Sequence, residues 1–215
     1  MSEPYRLADK TISALNKTIL RRFMIVRKLL AGSSFDELNV LNGMDALYEG
    51  LRKDNREALF ELWMLRYLEV FADVKGKYAK KPDEDELDDL IEMHLAGLLD
   101  EPHPVTRYTY AAEVPRKRDR AKESVAAQSP MTERRYELDK AMRQWAQMTR
   151  WYAEFTSQDA EVQAYIDCGV ERVKRHEEDD MKTCADCRAA DGTIYDVRHI
   201  PPPPHPACRR WFTPA

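Results

Sequence analysis

The sequence predicts a mainly α-helical protein, with an elongated helical body and a small α+β hairpin module at its C-terminal end. Apolar residues recur at steps of three and four over long stretches, and only seven glycines occur among 215 residues. Three of the four cysteines and two of the five histidines fall within the last 33 positions, beyond the point where the helical period stops. We therefore expect the body to cover 1–165, with subdivisions near 75–85 and 101–130, and the module to cover 166–215.

The 34 lysines and arginines are nearly balanced by 38 aspartates and glutamates, which gives a net charge of −4. This balance provides no overall attraction to nucleic acid or to a membrane surface, so electrostatic binding has to be local. No stretch approaches the roughly 20 apolar residues of a membrane span, and the first residues lack the apolar core of a signal peptide. We expect a protein made in a reducing cytoplasm, where closely spaced cysteines bind metals or act in redox chemistry more often than they form disulfides.

Two long helices are predicted first. One ends near Gly32, and the next runs from about Met44 to Ala72. A polar stretch at 51–57, LRKDNRE, leaves two interpretations open for the second pattern: a solvent-facing turn, or a break between two helices. The apolar face of the first helix comprises Ile12, Leu15, Ile19, Phe23, Val26 and Leu30.

A third helix is expected over 87–98, because an acidic segment precedes it and carboxylates stabilise the positive end of a helix dipole. The segment 106–114 is compatible with a strand or with the start of a helix. Ser129 is predicted to cap, and Pro130 to begin, a long helix that extends to about residue 165. After this helix, 170–173 is compatible with a strand, and the pair at 191–192, Asp-Gly, is typical of a hairpin turn.

The chemistry of the C-terminal module lies in two pairs of residues. Cys184 and Cys187 form a C-x2-C pair, and His205 and Cys208 form an H-x2-C pair, with seventeen residues between the pairs. Zinc takes four soft or borderline ligands in a tetrahedron, and two pairs on tight turns supply them at low entropic cost. Because four protein ligands leave no position for water, we expect a structural zinc ion. The proline run at 201–204 is expected to be a stiff connector that returns the second pair to the first.

Two other interpretations of these residues stay open. In one, the cysteines are free thiols or a redox pair, although no βαβ pattern surrounds them. In the other, the segment is an HNH-like metal-dependent nuclease with His199 as general base, or a zinc-stabilised nucleic-acid-binding module. The nuclease interpretation leaves the pairing of His205 with Cys208 unexplained.

A basic run lies between the third and the last predicted helix, and it is a candidate contact for DNA phosphates or for an acidic partner surface. Glu113, Asp119 and Glu123 are interspersed with it, which favours a solvated helix face. The basic residues are Arg116, Lys117, Arg118, Arg120 and Lys122.

The spacing of many residues in the module resembles the C-terminal signature of the phage head morphogenesis family, the Mu F-like minor head proteins. The stretch begins with G-V-E-R-V, continues with D-x-K-T-C-x2-C-x3-D-G-x2-Y, and ends with P-P-H-P-x-C-R. In one respect this sequence departs from the family, which often has a cysteine where Arg210 stands here. The matching residues are 169–173, Asp180, Thr183, Cys184, Cys187, Asp191, Gly192, Tyr195, Pro203, Pro204, His205, Pro206, Cys208 and Arg209.

Members of that family are minor components of tailed-phage heads that act with the portal and scaffold during assembly and, in some phages, in DNA packaging or ejection. The family is not known for catalysis. The resemblance therefore implies a structural protein of the virion, made in the host bacterial cytoplasm, with no membrane partner. It implies the phage portal protein and the major capsid or scaffold protein as partners, and packaged DNA as a further partner through the basic run. A secreted effector that carries the same domain would need a fused catalytic domain, and the sequence contains no recognisable one.

Overall fold

The computed structural model describes residues 5–31, 36–76, 82–102, 109–178, 183–205 and 208–215. The fold is mainly helical with a small C-terminal antiparallel sheet, as the sequence predicts. None of the described helices is both long and apolar enough to cross a membrane. The helices of the body are α1 (Arg6–Leu29), α2 (Glu37–Lys75), α3 (Glu84–Asp100), α4 (Tyr110–Ala126) and α5 (Met131–Asp167). The module contains β1 (Arg172–Glu177), α6 (Ala185–Ala190), β2 (Ile194–Asp196), a 3-10 turn (Val197–His199) and β3 (Arg210–Pro214).

Helix α5 lies at the centre of the fold, where it packs against α1, α2 and α4 and, near its C-terminal end, against β3. The fully buried ring of Trp145 meets Tyr48 and Tyr110 edge-on, with ring centroids 5.2 and 6.4 Å apart. Over 152–161 nearly every side of the helix is buried. A helix buried all round needs partners for its polar side chains, which here include Glu154, Gln158 and Glu161.

The polar stretch at 51–57 lies inside α2, which is one uninterrupted helix, so the predicted alternative of a break is wrong. Leu51 and Asn55 face the core, while Arg52 is exposed. The Asn55 side-chain amide donates a hydrogen bond to Thr149 Oγ1 of α5 at 2.9 Å. The polar residue therefore keeps its place on the buried face because it has a polar partner there.

Several predicted boundaries change. Helix α1 ends at Leu29, and Gly32 lies outside the described residues. Helix α2 begins at Glu37, before Met44, and α3 extends beyond the predicted 87–98 at both ends. Of the two alternatives for 106–114, the start of a helix is confirmed for the described residues 110–114, and α4 contains Pro115. Helix α5 begins one residue later than predicted, because Pro130 has an extended ψ of 139° and occupies the N-cap position with no side-chain cap.

The sheet has the order β2-β1-β3, and both pairs are antiparallel. The Asp-Gly turn at 191–192 does not join two strands directly, because α6 lies between β1 and β2; the turn instead links α6 to β2. Gly192 takes the positive φ of 77° that such a turn requires, and its amide donates to Arg175 O at 2.9 Å. Val173 of β1 and Phe212 of β3 belong to the same buried cluster as the helices. The division into domains at 165 stays a prediction.

His94 fixes the position of α3 on the rest of the body. Its Nδ1 atom lies 2.8 Å from Asp159 Oδ2, which also accepts a hydrogen bond from Trp63 Nε1 at 2.7 Å. Its ring lies 5.1 Å from the ring centroid of Trp63. Partial burial lowers the pKa of His94, but the hydrogen bond and charge of Asp159, with a further contribution from Asp167, outweigh burial and raise that pKa.

We predict that the Asp159→Asn variant loses part of the pH dependence of stability. A histidine with a raised folded-state pKa contributes stability that is complete below about pH 6.5 and disappears as the pH rises through the folded pKa. Asparagine keeps an oxygen that accepts the Trp63 hydrogen bond, but it lacks the charge. The NMR titration of His94 should therefore shift to lower pH, and the decline in stability across this window should flatten.

The matched control is Asp196→Asn, which changes the exposed partner of His199 and should leave the titration of His94 unchanged. An unaltered His94 pKa in Asp159→Asn would show that the ion pair does not set it.

Candidate metal centre

Two tight turns bring the cysteine and histidine pairs together. Cys184 is the N-cap of α6, and its thiol accepts the backbone N–H of Cys187 at 3.4 Å. On the other side, the Cys208 N–H donates to the His205 carbonyl at 3.2 Å, so these two residues also lie on one turn. The proline run at 201–204, which lies between the two pairs, has no regular secondary structure and brings the second pair back to the first. Cys187 and Cys208 are buried, whereas Cys184 and His205 are half-buried.

Cys187 joins two groups whose ligand atoms lie within 4.8 Å of one another, one with Cys184 and His205 and the other with Cys208 and Glu177. His205 Nε2 lies 3.3 Å from Cys184 Sγ and 3.2 Å from Cys187 Sγ, and the sulfurs of Cys187 and Cys208 are 3.7 Å apart. Zinc–sulfur bonds of about 2.3 Å in a tetrahedron place the sulfurs about 3.8 Å apart. The cluster can therefore hold a metal ion, and the donor set of three thiols and one imidazole fits zinc.

The surroundings of the Cys187 and Cys208 thiols disfavour the thiolate form when no cation is near. Burial raises the pKa of Cys187, and the neighbouring Cys184 and Cys208 raise it further. Burial also raises the pKa of Cys208, although Arg210 and Arg175 oppose the shift. A divalent cation reverses this balance, because it binds the thiolate and displaces the proton.

A carboxylate lies beside the cluster. Glu177 Oε1 accepts a hydrogen bond from Arg175 Nε at 2.6 Å, and a carboxylate oxygen of Glu177 lies within 4.8 Å of both the Cys187 and Cys208 sulfurs. Both contacts of the Arg175 guanidinium are to Oε1, and the Glu177 carboxylate lies next to the Cys187 and Cys208 thiols. This pair was not predicted from the sequence. The signal was present, since Arg175 follows Val173 by two positions and so shares its buried face of β1.

The metal-ligand turns are anchored on α5. The Gln158 side-chain amide donates to the Cys208 carbonyl at 2.9 Å, and Gln158 Oε1 accepts from Arg210 Nε at 3.3 Å. Tyr165 Oη donates to the Phe212 carbonyl at 2.8 Å. Buried side chains of the central helix thus satisfy the backbone carbonyl of Cys208 and one in the strand that follows it.

A second set of contacts supports the same strand from the body. Glu161 bonds to Arg66 of α2 at 2.8 Å and accepts the backbone N–H of Phe212. Burial nevertheless raises the pKa of Glu161 to about 7. Tyr5, next to the start of α1, donates its hydroxyl to the Arg210 carbonyl. Strand β3 is therefore held by α5 and by Tyr5, and Arg66 of α2 supports it through Glu161.

One side of the cluster borders a cleft of about 570 Å³ between the module and the helices α1 and α5. Arg209 crosses its rim, where it pairs with Asp9 at 2.9 Å and with Glu178 at 3.6 Å. The walls include Arg150, Trp151, Glu178, Cys184, His205 and Arg209.

The basic run lies on α4, where most of its charge is paired. Glu113 binds both Arg116, at 2.8 Å, and Lys117, at 3.8 Å. Asp45 of α2 binds both Arg118, at 3.4 Å, and Lys122, at 2.8 Å. Within the described part of the chain, Arg120 is the member of the run that forms no ion pair. These contacts pack α4 onto α2 and leave little free charge for DNA.

The other candidate residues lie apart from the cluster. The ring of His199 is 80% exposed and contacts Asp196 at 3.4 Å, and His94 belongs to the α3 contact with Asp159. Cys168 is buried next to the C-terminal end of α5. His103 lies outside the described residues.

Searches against models of protein families, curated proteins and solved structures found no match to this chain.

We predict that Cys187→Ser abolishes metal binding, because serine cannot supply a thiolate and Cys187 contacts the other members of the cluster. Zinc content, measured by elemental analysis of the purified full chain, should fall from about one ion per chain to less than about a tenth of that. The C-terminal module should become sensitive to protease, while the helical circular dichroism stays near that of the wild type.

Cys168→Ser is the matched control, since it removes a buried thiol outside the cluster. It should retain the full zinc content. Equal zinc content and equal protease resistance in Cys187→Ser would rule out this site.

Proposed function

We propose that this chain is a structural minor head protein of a tailed phage, in which a zinc ion stabilises the C-terminal module. It would be made in the host bacterial cytoplasm, and it would bind the portal protein and the major capsid or scaffold protein during head assembly. Its role would be non-enzymatic, with an influence on DNA packaging or ejection through those contacts.

The observation that carries the proposal is that residues of the family-like signature meet at one point of the fold. The cysteines of C-x2-C and the His-Cys pair converge, although they are separated by seventeen residues. Gly192, which also belongs to the signature, forms the turn that leads from α6 back to the sheet. A short segment with four consecutive prolines buries little apolar area of its own, so a metal is an effective way to hold it.

The long helices supply surface for partners. On α1, the apolar side chains of Leu20, Met24 and Ile25 are 51%, 40% and 62% exposed. Leu20 and Met24, four positions apart, lie on one side of the helix, and Ile25 lies about 100° further round. Exposed apolar groups can mark a contact with another protein, and we propose this part of α1 as the partner contact of the body.

The nuclease alternative has less support. His199, its general base, lies with Asp196 and is not among the residues that line the cleft beside the cysteines. Four protein ligands would fill the tetrahedral positions of a zinc ion, so no position would be left to activate water. The paired basic residues of α4 also offer few free cations for DNA.

We expect purified particles of the parent phage to contain this chain at a few to a few dozen copies, far below the major capsid protein. Quantitative mass spectrometry, with the portal protein as the internal reference, measures the ratio. A phage that encodes Cys187→Ser should incorporate much less of the chain, because its module is no longer held, whereas Cys168→Ser should be incorporated normally.

Absence of the wild-type chain from both finished heads and assembly intermediates would contradict the proposal. Metal-dependent cleavage of plasmid DNA by the purified chain, lost in His199→Ala, would favour the nuclease instead.

A further inference from the structure

Two buried arginines lie on adjacent strands beside the metal cluster. Arg175 of β1 is 3% exposed, and Arg210 of β3 is 5% exposed. In the register of the two strands, Arg210 is opposite Glu177 and Arg175 is opposite Phe212. Both guanidinium groups therefore lie inside the module, next to the turn that carries Cys208.

The two arginines do not have equal counter-charges. Arg175 pairs with Glu177, whose side chain is 5% exposed. Arg210 donates to the Pro201 carbonyl at 2.7 Å and to the Gln158 side-chain oxygen at 3.3 Å, both of which are neutral groups. No carboxylate of the described residues forms an ion pair with Arg210, so one buried positive charge remains when Arg175, Arg210 and Glu177 are taken together.

The metal ligands supply the missing negative charge. A divalent zinc ion with three thiolates and a neutral imidazole carries one net negative charge. The Arg175 Nη2 atom points at the Cys208 sulfur at a distance of 3.8 Å, which is within hydrogen-bonding distance for a thiolate. The loaded cluster and the buried arginines therefore compensate each other.

We propose that Arg175 and Arg210 are positioning residues of the metal centre, which hold the Cys208 thiolate and balance the charge of a three-cysteine, one-histidine site. Arg175 acts by its hydrogen bond to the sulfur, and Glu177 fixes the orientation of Arg175. Arg210 acts by its charge, and Gln158 and Pro201 hold it in place. The proposal rests on the zinc site of the proposed function and adds to it the groups that set the affinity of that site.

The guanidinium is suited to this role because it donates several hydrogen bonds from one plane. The Arg175 guanidinium donates from Nε to the Glu177 carboxylate and from Nη2 to the Cys208 sulfur. A lysine offers the same charge from a single point, so it cannot keep both contacts in this geometry.

The test measures zinc affinity of the full chain by competition with a chelator of known affinity. Arg210→Gln and Arg175→Gln should each weaken binding by roughly 10- to 100-fold, which is the usual effect of losing a group that orients a metal ligand. Arg210→Lys keeps the charge and should recover most of the affinity. The control is Arg172→Gln, which removes an exposed arginine from the same strand and should change the affinity less than about twofold.

Two further readouts separate a role at the metal from a role in folding. Cobalt-loaded variants should keep the strong absorption of thiolate-to-cobalt charge transfer, which shows that the ligands themselves are unchanged. The melting temperature of Arg210→Gln should fall in the zinc-loaded chain more than in the metal-free chain, because only the loaded cluster supplies the charge that the arginine balances.

Wild-type affinity in both glutamine variants would overturn the proposal, and so would an Arg210→Lys variant as weak as Arg210→Gln. A wild-type chain that binds neither zinc nor cobalt would overturn it in a different way, because the metal site would then be wrong as well. Absence of the chain from phage heads, with these affinity changes intact, would refute only the role in the virion.

Discussion

The burial of α5 on all sides is the constraint on which the rest of the fold depends. Over 152–161 the helix carries Glu154, Gln158 and Glu161 into the interior, and these side chains cannot be left without partners. The module provides several of the partners, since Gln158 and Glu161 bond to the backbone of Cys208 and Phe212. The body and the module therefore complete each other: the sheet covers polar groups of the helix and supplies their hydrogen-bond partners, and the helix supplies the surface on which the sheet packs.

The metal cluster belongs to the same arrangement. Gln158 binds the carbonyl of Cys208, and Tyr5 and Tyr165 hold the strand that follows it, so α5 and the residue just before α1 together set the position of this ligand. The other ligands come from the short α6 and from the chain after the prolines, which have few contacts with the body. A metal ion bound by the cluster would join these turns to the one that the helices fix.

The apolar period predicted the helical body, and the spacings C-x2-C and H-x2-C predicted the two pairs of candidate ligands. Both signals are local in the sequence. The sequence pattern did not predict buried polar side chains whose hydrogen-bond partners lie far away in the chain. Asn55 and Arg175 are polar residues at core-facing positions. Asn55 bonds to Thr149, 94 positions away, and Arg175 bonds to Cys208, 33 positions away, as well as to its near neighbour Glu177. The order of the strands was equally inaccessible, since β3 joins β1 across an intervening helix, a second strand and the proline run.

The two edge strands of the small sheet limit the addition of further strands. On one side β2 has three residues and passes directly into a 3-10 turn, and on the other β3 closes at Pro214, which lacks an amide donor. Neither edge offers the long row of free backbone groups on which a strand from another chain can pair. When many copies are close together, the module therefore resists the pairing of a strand from another copy. Contacts with other molecules then depend on side-chain surfaces.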